Sequence, residues 1–178
     1  MLLAMKPLAP VDATDHTRGP ATAPLTLVQY GDYDCPHTRA SHGVLATLLP
    51  ALGFPVRFVF RHFPLRHLHA QAELLAEIAE AAARQGKFWP MHDHLMSHRR
   101  GVTRPDVVAD AAAAGVVLEM VDELVGTPAI RTRIQSDVET GKESGVHSTP
   151  TFFFNGVLHD GHYDAATLRA RIEDVMAG

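Results

Sequence analysis

The residue types with the most chemistry to offer sit in one tetrapeptide, Cys35-Pro36-His37-Thr38, between a segment of strand character and one of helix character. Cys35 is the only cysteine among 178 residues. A helix start supplies free N–H donors and the positive end of the helix dipole. Both favour a thiolate, the form of cysteine that attacks disulfides. Proline just inside a helix agrees with that placement, because the N–H it lacks would have had no partner there. Thr38 stands where a redox dithiol would carry its second cysteine. Its hydroxyl can donate a hydrogen bond to the Cys35 sulfur, but it cannot resolve a mixed disulfide.

The composition narrows the classes of function. A chain of 178 residues, 46% hydrophobic, suffices for one domain with a buried core. A formal charge of −4 and a pI near 6.3 argue against a nucleic-acid partner. The densest basic run, His98-Arg99-Arg100, reads as a solvated helix end. No stretch approaches the roughly 20 apolar residues of a membrane span, so no membrane partner is expected. The start, Met1-Leu2-Leu3-Ala4-Met5-Lys6-Pro7, lacks the charged beginning and apolar core of a signal peptide. A lone cysteine makes no internal disulfide. Stability therefore does not depend on oxidation, which suits a reducing cytosol, and a cytoplasmic location is expected. Twelve histidines invite a metal reading. His94 and His98 would share a helix face, and His67 and His69 flank Leu68, but no Cys-rich or His-Glu-x-x-His grouping accompanies them. No metal site is expected, and the histidines read as surface and capping groups.

The elements that must position Cys35 follow from hydrophobic period. Residues 1–20 show no sustained period and read as an N-terminal arm, with the domain over 21–178. Leu25 to Tyr30 is apolar on both alternating faces, as an interior strand requires. From His37 the period becomes helical, with Ala40, Val44, Leu45 and Leu48 recurring and Pro50 beyond. Val56 to His62 is a second strand, stopped by Pro64. From about 65 to 145 the pattern is helical. Leu68, Ala72, Leu75, Ala79 and Ala82 form one stripe ended by Gly86, a second segment runs from Phe88 to His98, and a third runs from Thr103 to Ala114 with Gly115 at its C-cap. Thr127-Pro128 opens a fourth helix, carried on by Ile130, Ile134 and Val138. Thr151 to Phe154 and Val157 to His159 then read as a hairpin about Asn155-Gly156, and Asp164 caps a last helix with Leu168, Ile172 and Val175 on its stripe.

This order, with a Cys-Pro-x-x tetrapeptide after a strand, resembles the thioredoxin superfamily and, more narrowly, its DsbA-like branch. The resemblance rests on Gly31-Asp32-Tyr33-Asp34-Cys35-Pro36-His37, on Phe58 to Pro64, on Gly86-Lys87-Phe88-Trp89-Pro90-Met91-His92-Asp93, and on Ser144 to Gly156. It implies an α/β, thioredoxin-like fold: a βαβ–ββα sheet with an inserted helical subdomain at about 65–145.

The resemblance also implies roles. The first cysteine of the family's Cys-x-x-Cys attacks substrate disulfides, which falls on Cys35. The dipeptide between the cysteines tunes redox potential, and Pro36-His37 is the pair of strongly oxidising members; a histidine there stabilises a thiolate by charge and hydrogen bonding. Thr149-Pro150 matches the family's cis-proline, where the residue before proline offers its backbone to an extended substrate. The expected activity is monothiol thiol–disulfide exchange. Cys35 forms a mixed disulfide with a protein or small molecule, and an external thiol such as glutathione resolves it, with no tightly bound cofactor. Two other activities suit the same scaffold: a redox-inactive binding protein, and a glutathione-dependent isomerase or transferase in which a bound thiol does the chemistry. Asp32 and Asp34 read as structural, with Asp34 a candidate helix cap. Phe88, Trp89 and His92 read as packing, and Arg61, His62 and Arg66 as solvated charges at a strand end.

Overall fold

Apolar side chains on both faces of Leu25–Gly31 require cover on both sides, and that requirement organises the molecule. In the computed structural model, which describes residues 7–99, 101–159 and 161–177, Leu25 and Leu27 face one core while Val28 and Tyr30 face another. The Met1–Lys6 stretch and Arg100 of the basic run lie outside the described residues, as do Asp160 and Gly178.

Five strands form one sheet: β1 (His16–Arg18), β2 (Leu25–Gly31), β3 (Val56–His62), β4 (Thr151–Phe154) and β5 (Val157–His159), in the spatial order β1-β3-β2-β4-β5. β2 and β3 are parallel, with Gly31 beside His62, and α1 (Pro36–Leu48) crosses between them. β4 runs antiparallel to β2, Thr151 beside Tyr30, and turns back through Asn155 and Gly156, both at positive φ, into β5. The Asn155 side chain ties that turn to the start of β2: its Oδ1 accepts from the Thr26 N–H and its Nδ2 donates to the Pro24 carbonyl. Five helices fill the space between β3 and β4: α2 (Ala72–Ala83), α3 (Phe88–Ser97), α4 (Arg104–Ala114), α5 (Leu118–Leu124) and α6 (Pro128–Glu143). A last helix, α7 (Ala165–Ala177), packs against α1 and β4. The architecture is the βαβ–ββα sheet with a helical insertion. Local signals set several element ends. Thr103 and Asp106 form a reciprocal capping box at α4, Gly115 closes it in the left-handed region, and the Asp164 carboxylate accepts from the Thr167 N–H at α7.

Tertiary contacts overturn several expectations. Within the stretch read as an arm, His16–Arg18 pairs antiparallel with β3 as an edge strand. The buried stripe of α1 is Thr38, Ser41, Leu45 and Leu48, and Ala40 is exposed. This polar stripe is satisfied internally, since Ser41 Oγ donates to the Thr38 carbonyl and accepts from Gln29 Nε2. Leu68 lies outside α2 and is 65% exposed. Aspartates from the Cys35 loop hold residues 65–71 out of the helix: Asp32 accepts from the Leu65 N–H and His69 Nδ1, and Asp34 accepts from the Gln71 N–H. Asp34 therefore caps nothing on α1, whose N-cap is Cys35 itself. Arg61 and His62, read as solvated, are buried; only Arg66 is exposed. Arg61 makes two bonds to Asp15, at 2.7 and 2.8 Å, and further bonds to the Ala9 and Pro10 carbonyls, anchoring the N-terminal segment. Burial opposes the Arg61 charge, but the Asp15 and Tyr30 interactions outweigh it and hold the guanidinium charged.

Candidate active site around Cys35

β2 delivers the chain to the C-terminal edge of the sheet, and its last residue must be small. A Cβ on Gly31 would lie 2.5 Å from the Phe60 ring and 2.9 Å from Thr38 Cγ2. After the Asp32–Asp34 turn, Cys35 caps α1 with extended backbone, φ −76° and ψ 119°, and Pro36 occupies the first turn. The Cys35 N–H donates to the Asp32 carbonyl, and its own carbonyl opens the helix ladder by accepting from Arg39. No acidic residue stands in the first turn of α1; the nearest carboxylates in sequence, Asp32 and Asp34, are in the turn before Cys35 and accept from the Leu65 and Gln71 N–H groups.

β4 begins beside the end of β2, which brings Thr149 and Pro150 to Cys35. Their peptide bond is cis. The thiol donates to the Thr149 carbonyl over an Sγ–O distance of 3.4 Å, and the Cys35 residue is only 3% exposed. Thr149 Oγ1 is buried with no hydrogen-bond partner.

The neighbours of Cys35 are arranged differently from the sequence expectation. Thr38 is fully buried, and its Oγ1 accepts from the Asp32 N–H at 3.4 Å; no bond to the Cys35 sulfur is present among the described residues. The Thr38 methyl occupies the space that a Cβ at residue 31 would need. His37 is exposed, and its Nδ1 pairs with the Tyr163 hydroxyl at 2.7 Å, before α7. Arg39 donates to the Tyr33 carbonyl at 2.7 Å and sits 3.9 Å from Asp34, holding the turn that presents Cys35.

Behind this turn lies a layer of histidines, several of them buried rather than on the surface. His62 and His92 are fully buried. Nε2 of His16 and Nε2 of His62 both meet the same oxygen of Glu80, at 2.6 and 2.9 Å. Burial would raise the Glu80 carboxyl, but the two histidine bonds outweigh it and hold the group well below the usual carboxylate range. His92 Nδ1 pairs with the buried Tyr33 hydroxyl at 2.9 Å, while its Nε2 has no partner. Burial, then the nearby His42, Arg18 and other histidines, push His92 well down, so the ring is neutral at pH 7. Burial also pushes the Tyr33 hydroxyl well up, with the charges of Glu80 and Asp93 adding to it. His42 on α1 faces Asp93 on α3, with Nε2 and Oδ1 3.9 Å apart. Sequence reasoning treated His92 as packing and passed over His42 and Asp93, because they lie on separate elements with no motif spacing between them.

A cleft of about 900 Å³ opens elsewhere, between residues 63–67 and α6, and neither Cys35 nor Pro150 lines it. Its mixed charges, among them Arg66, Glu73, Arg131 and Glu139, show no convergence on one ligand.

Residues 12–174 match the family model described as thioredoxin. Among curated proteins, the chain is 38% identical over 172 residues to the Na(+)/H(+) antiporter NhaA 1 of Salinispora arenicola, covering 96% of this chain and 26% of the antiporter. The chain thus spans about a quarter of the antiporters it matches. Among solved structures, a thioredoxin-like oxidoreductase from Silicibacter pomeroyi superposes with a TM-score of 0.81 at 24% identity, over 94% of this chain and 95% of that one. Oxidised BdbD from Bacillus subtilis superposes at 0.78 with 18% identity, over 98% and 99%. Both structures share the fold.

Proposed function

This chain belongs to the thioredoxin family, and from that premise we propose that it performs thiol–disulfide exchange with a single cysteine. The observation that carries the reading is the placement of Cys35: the N-cap of α1, beside the Thr149 carbonyl, with no second cysteine in the chain. The Cys35 thiolate attacks one sulfur of a disulfide R–S–S–R′. That bond breaks, R′ leaves as a thiolate and takes up a proton, and R stays on Cys35 as a mixed disulfide. An external thiol then attacks, carries R away as a new disulfide, and returns Cys35 to the reduced form. The electrons come from that external thiol, with glutathione or another low-molecular-weight thiol serving. Thr149 and Pro150 supply the backbone edge against which an extended substrate, protein or small molecule, lies while exchange proceeds.

Several features support the rest of the reading. A thiol that forms no internal disulfide suits a reducing compartment, and we place the protein in the cytoplasm. No helix among the described residues is long and apolar enough to cross a membrane. This chain matches the thioredoxin family model over residues 12–174 and covers only about a quarter of the antiporter, so we assign it exchange rather than ion transport.

The test is intact mass after incubation with oxidised glutathione, with Cys35→Ser as blank. One adduct per chain, removed by mild reduction, is expected. No adduct under conditions that modify an ordinary buried thiol on the same timescale overturns the exchange reading. In that case the slight exposure of Cys35 and its bond to Thr149 favour a second reading, a redox-inactive binding module. Thr38→Cys sharpens the choice. Positions 35 and 38 share a face at the start of α1, so the variant forms an internal disulfide and gains oxidase or reductase turnover, because an adjacent thiol ejects the bound partner at high effective concentration. A disulfide without turnover would show that the scaffold lacks more than a cysteine.

A further inference from the structure

The three side chains His42, His92 and Asp93 each offer a ligand atom, and those atoms all lie within 4.8 Å of one another. We propose that they form a binding site for one divalent transition-metal ion, of which zinc is the probe, clamping α1 to α3. Two imidazoles and a carboxylate are a donor set for zinc and its neighbours, with a water completing four-coordination.

Lone-pair accounting separates this group from the other histidine group. At His16, His62 and Glu80, both Nε2 atoms already meet Glu80 Oε1, so the atoms that would face a metal are taken, and the one unpartnered nitrogen of that group, His62 Nδ1, lies on the far side of its ring from Glu80. At the second group, His92 Nε2 and Asp93 Oδ1 are buried without any hydrogen-bond partner among the described residues. Buried polar atoms rarely stay unpaired, and two that point toward one small volume need a shared partner. His42 Nε2 stands 3.9 Å from Asp93 Oδ1. Tetrahedral ligands at about 2.0–2.1 Å from zinc stand roughly 3.3 Å apart, so the ligand atoms, now within 4.8 Å of one another, must close by up to about 1.5 Å, a movement open to the partly exposed His42 and Asp93 side chains.

The outer contacts orient each ligand. A proton on His92 Nδ1, donated to the Tyr33 hydroxyl oxygen, leaves a lone pair on Nε2. Arg18 donates to Asp93 Oδ2 at 2.7 Å and lies over the Trp89 ring, which leaves Oδ1 turned toward His42. His92 sits among Phe60, Phe88 and Trp89, a rigid apolar wall. Entry is from the solvent side, where His42 lines an open cleft of about 440 Å³ with Pro36, Arg39 and Met96.

The site is tested on the tag-free full chain by zinc titration calorimetry and by metal content after dialysis. One ion per chain is expected, retained in Cys35→Ser and in His94→Gln/His98→Gln. His42→Gln and Asp93→Asn are each expected to weaken binding more than about tenfold, the loss already typical of an outer-shell change. Zinc is also expected to raise the unfolding temperature of the natural chain and leave that of His42→Gln unmoved. Cobalt supplies a readout without mutation: a tetrahedral visible spectrum with no sulfur charge-transfer band. The proposal fails if binding survives both ligand variants, if it is lost with Cys35 or His98, if cobalt reports sulfur or six-coordinate ligation, or if no saturable micromolar binding occurs.

Discussion

Two groups of two histidines and one carboxylate lie side by side, sharing Phe88 and Tyr33 as ring neighbours, yet they differ in how their lone pairs are used. Around Glu80, one carboxylate oxygen receives both histidines. Around Asp93, the carboxylate is divided: Oδ2 is held by Arg18 near the surface, and Oδ1 faces inward beside an unpartnered imidazole nitrogen. Residue types alone do not distinguish the two. The difference arises from which strand or helix carries each residue, since β1 and β3 bring their histidines directly onto α2, whereas α1 leaves His42 about 1 Å too far from Asp93 on α3 for direct bonding. One group staples the insertion to the sheet, and the other leaves room for a guest.

The strongest way to break this comparison is Glu80→Gln. Removing the carboxylate charge leaves two histidines facing a neutral amide in a buried setting, and breaking such a pair costs about 3–5 kcal/mol. Urea unfolding at pH 7 measures it, and a loss comparable to that of Asp93→Asn would erase the distinction. Asp93→Asn, in the metal-free chain, gives up an exposed ion pair with Arg18 and is expected to lose no more than about 1 kcal/mol.

Acid titration of stability separates the groups next. The Glu80 carboxyl is held low in the folded chain, so its contribution is present above its unfolded value near 4.5 and disappears as pH falls below it. His92 is also held low, from an unfolded value near 6.5, but as a base it is buried neutral. The unfolded chain therefore takes up the proton first, and stability falls as pH drops below about 6.5. His92→Phe is expected to flatten the limb between 6.5 and 4.5 while leaving the steeper limb below 4.5, and Glu80→Gln is expected to do the reverse. Unfolding midpoints at half-unit pH steps read both limbs. If both variants flatten the same limb, the two groups titrate as one network.

The smallest effect is expected from Arg18→Ala. The Arg18–Asp93 pair is nearly half exposed on both sides, and such pairs are worth up to about 1 kcal/mol. Its stability change at pH 7 should shrink further in high salt. A larger loss that salt does not reduce would move the origin of the effect to packing of the Arg18 stem on Trp89.

What the amino-acid order determined by itself was whatever acts over a few residues. The two-sided apolar run of β2, the Asn155-Gly156 turn, the Thr103 start and Gly115 stop of α4, and the start of α1 at Cys35-Pro36 are local facts of period, capping and backbone preference, and they suffice for the fold and for the order of its elements apart from β1 and the short α5. The thioredoxin-like pattern could be read for the same reason. What only the tertiary structure decided was partnership between distant residues. The Thr38 hydroxyl turns to the Asp32 backbone rather than to sulfur, while its methyl fills the space that a side chain at Gly31 would need. Leu68 leaves the helix because two aspartates from another loop bind the backbone around it, and Arg61 is buried because Asp15 arrives to meet it. His42 and Asp93 meet because α1 and α3 pack together. Period and propensity say which way a side chain faces along its own element. Whether a buried nitrogen or oxygen has a partner depends on what a second element carries to that point, and that is set by packing.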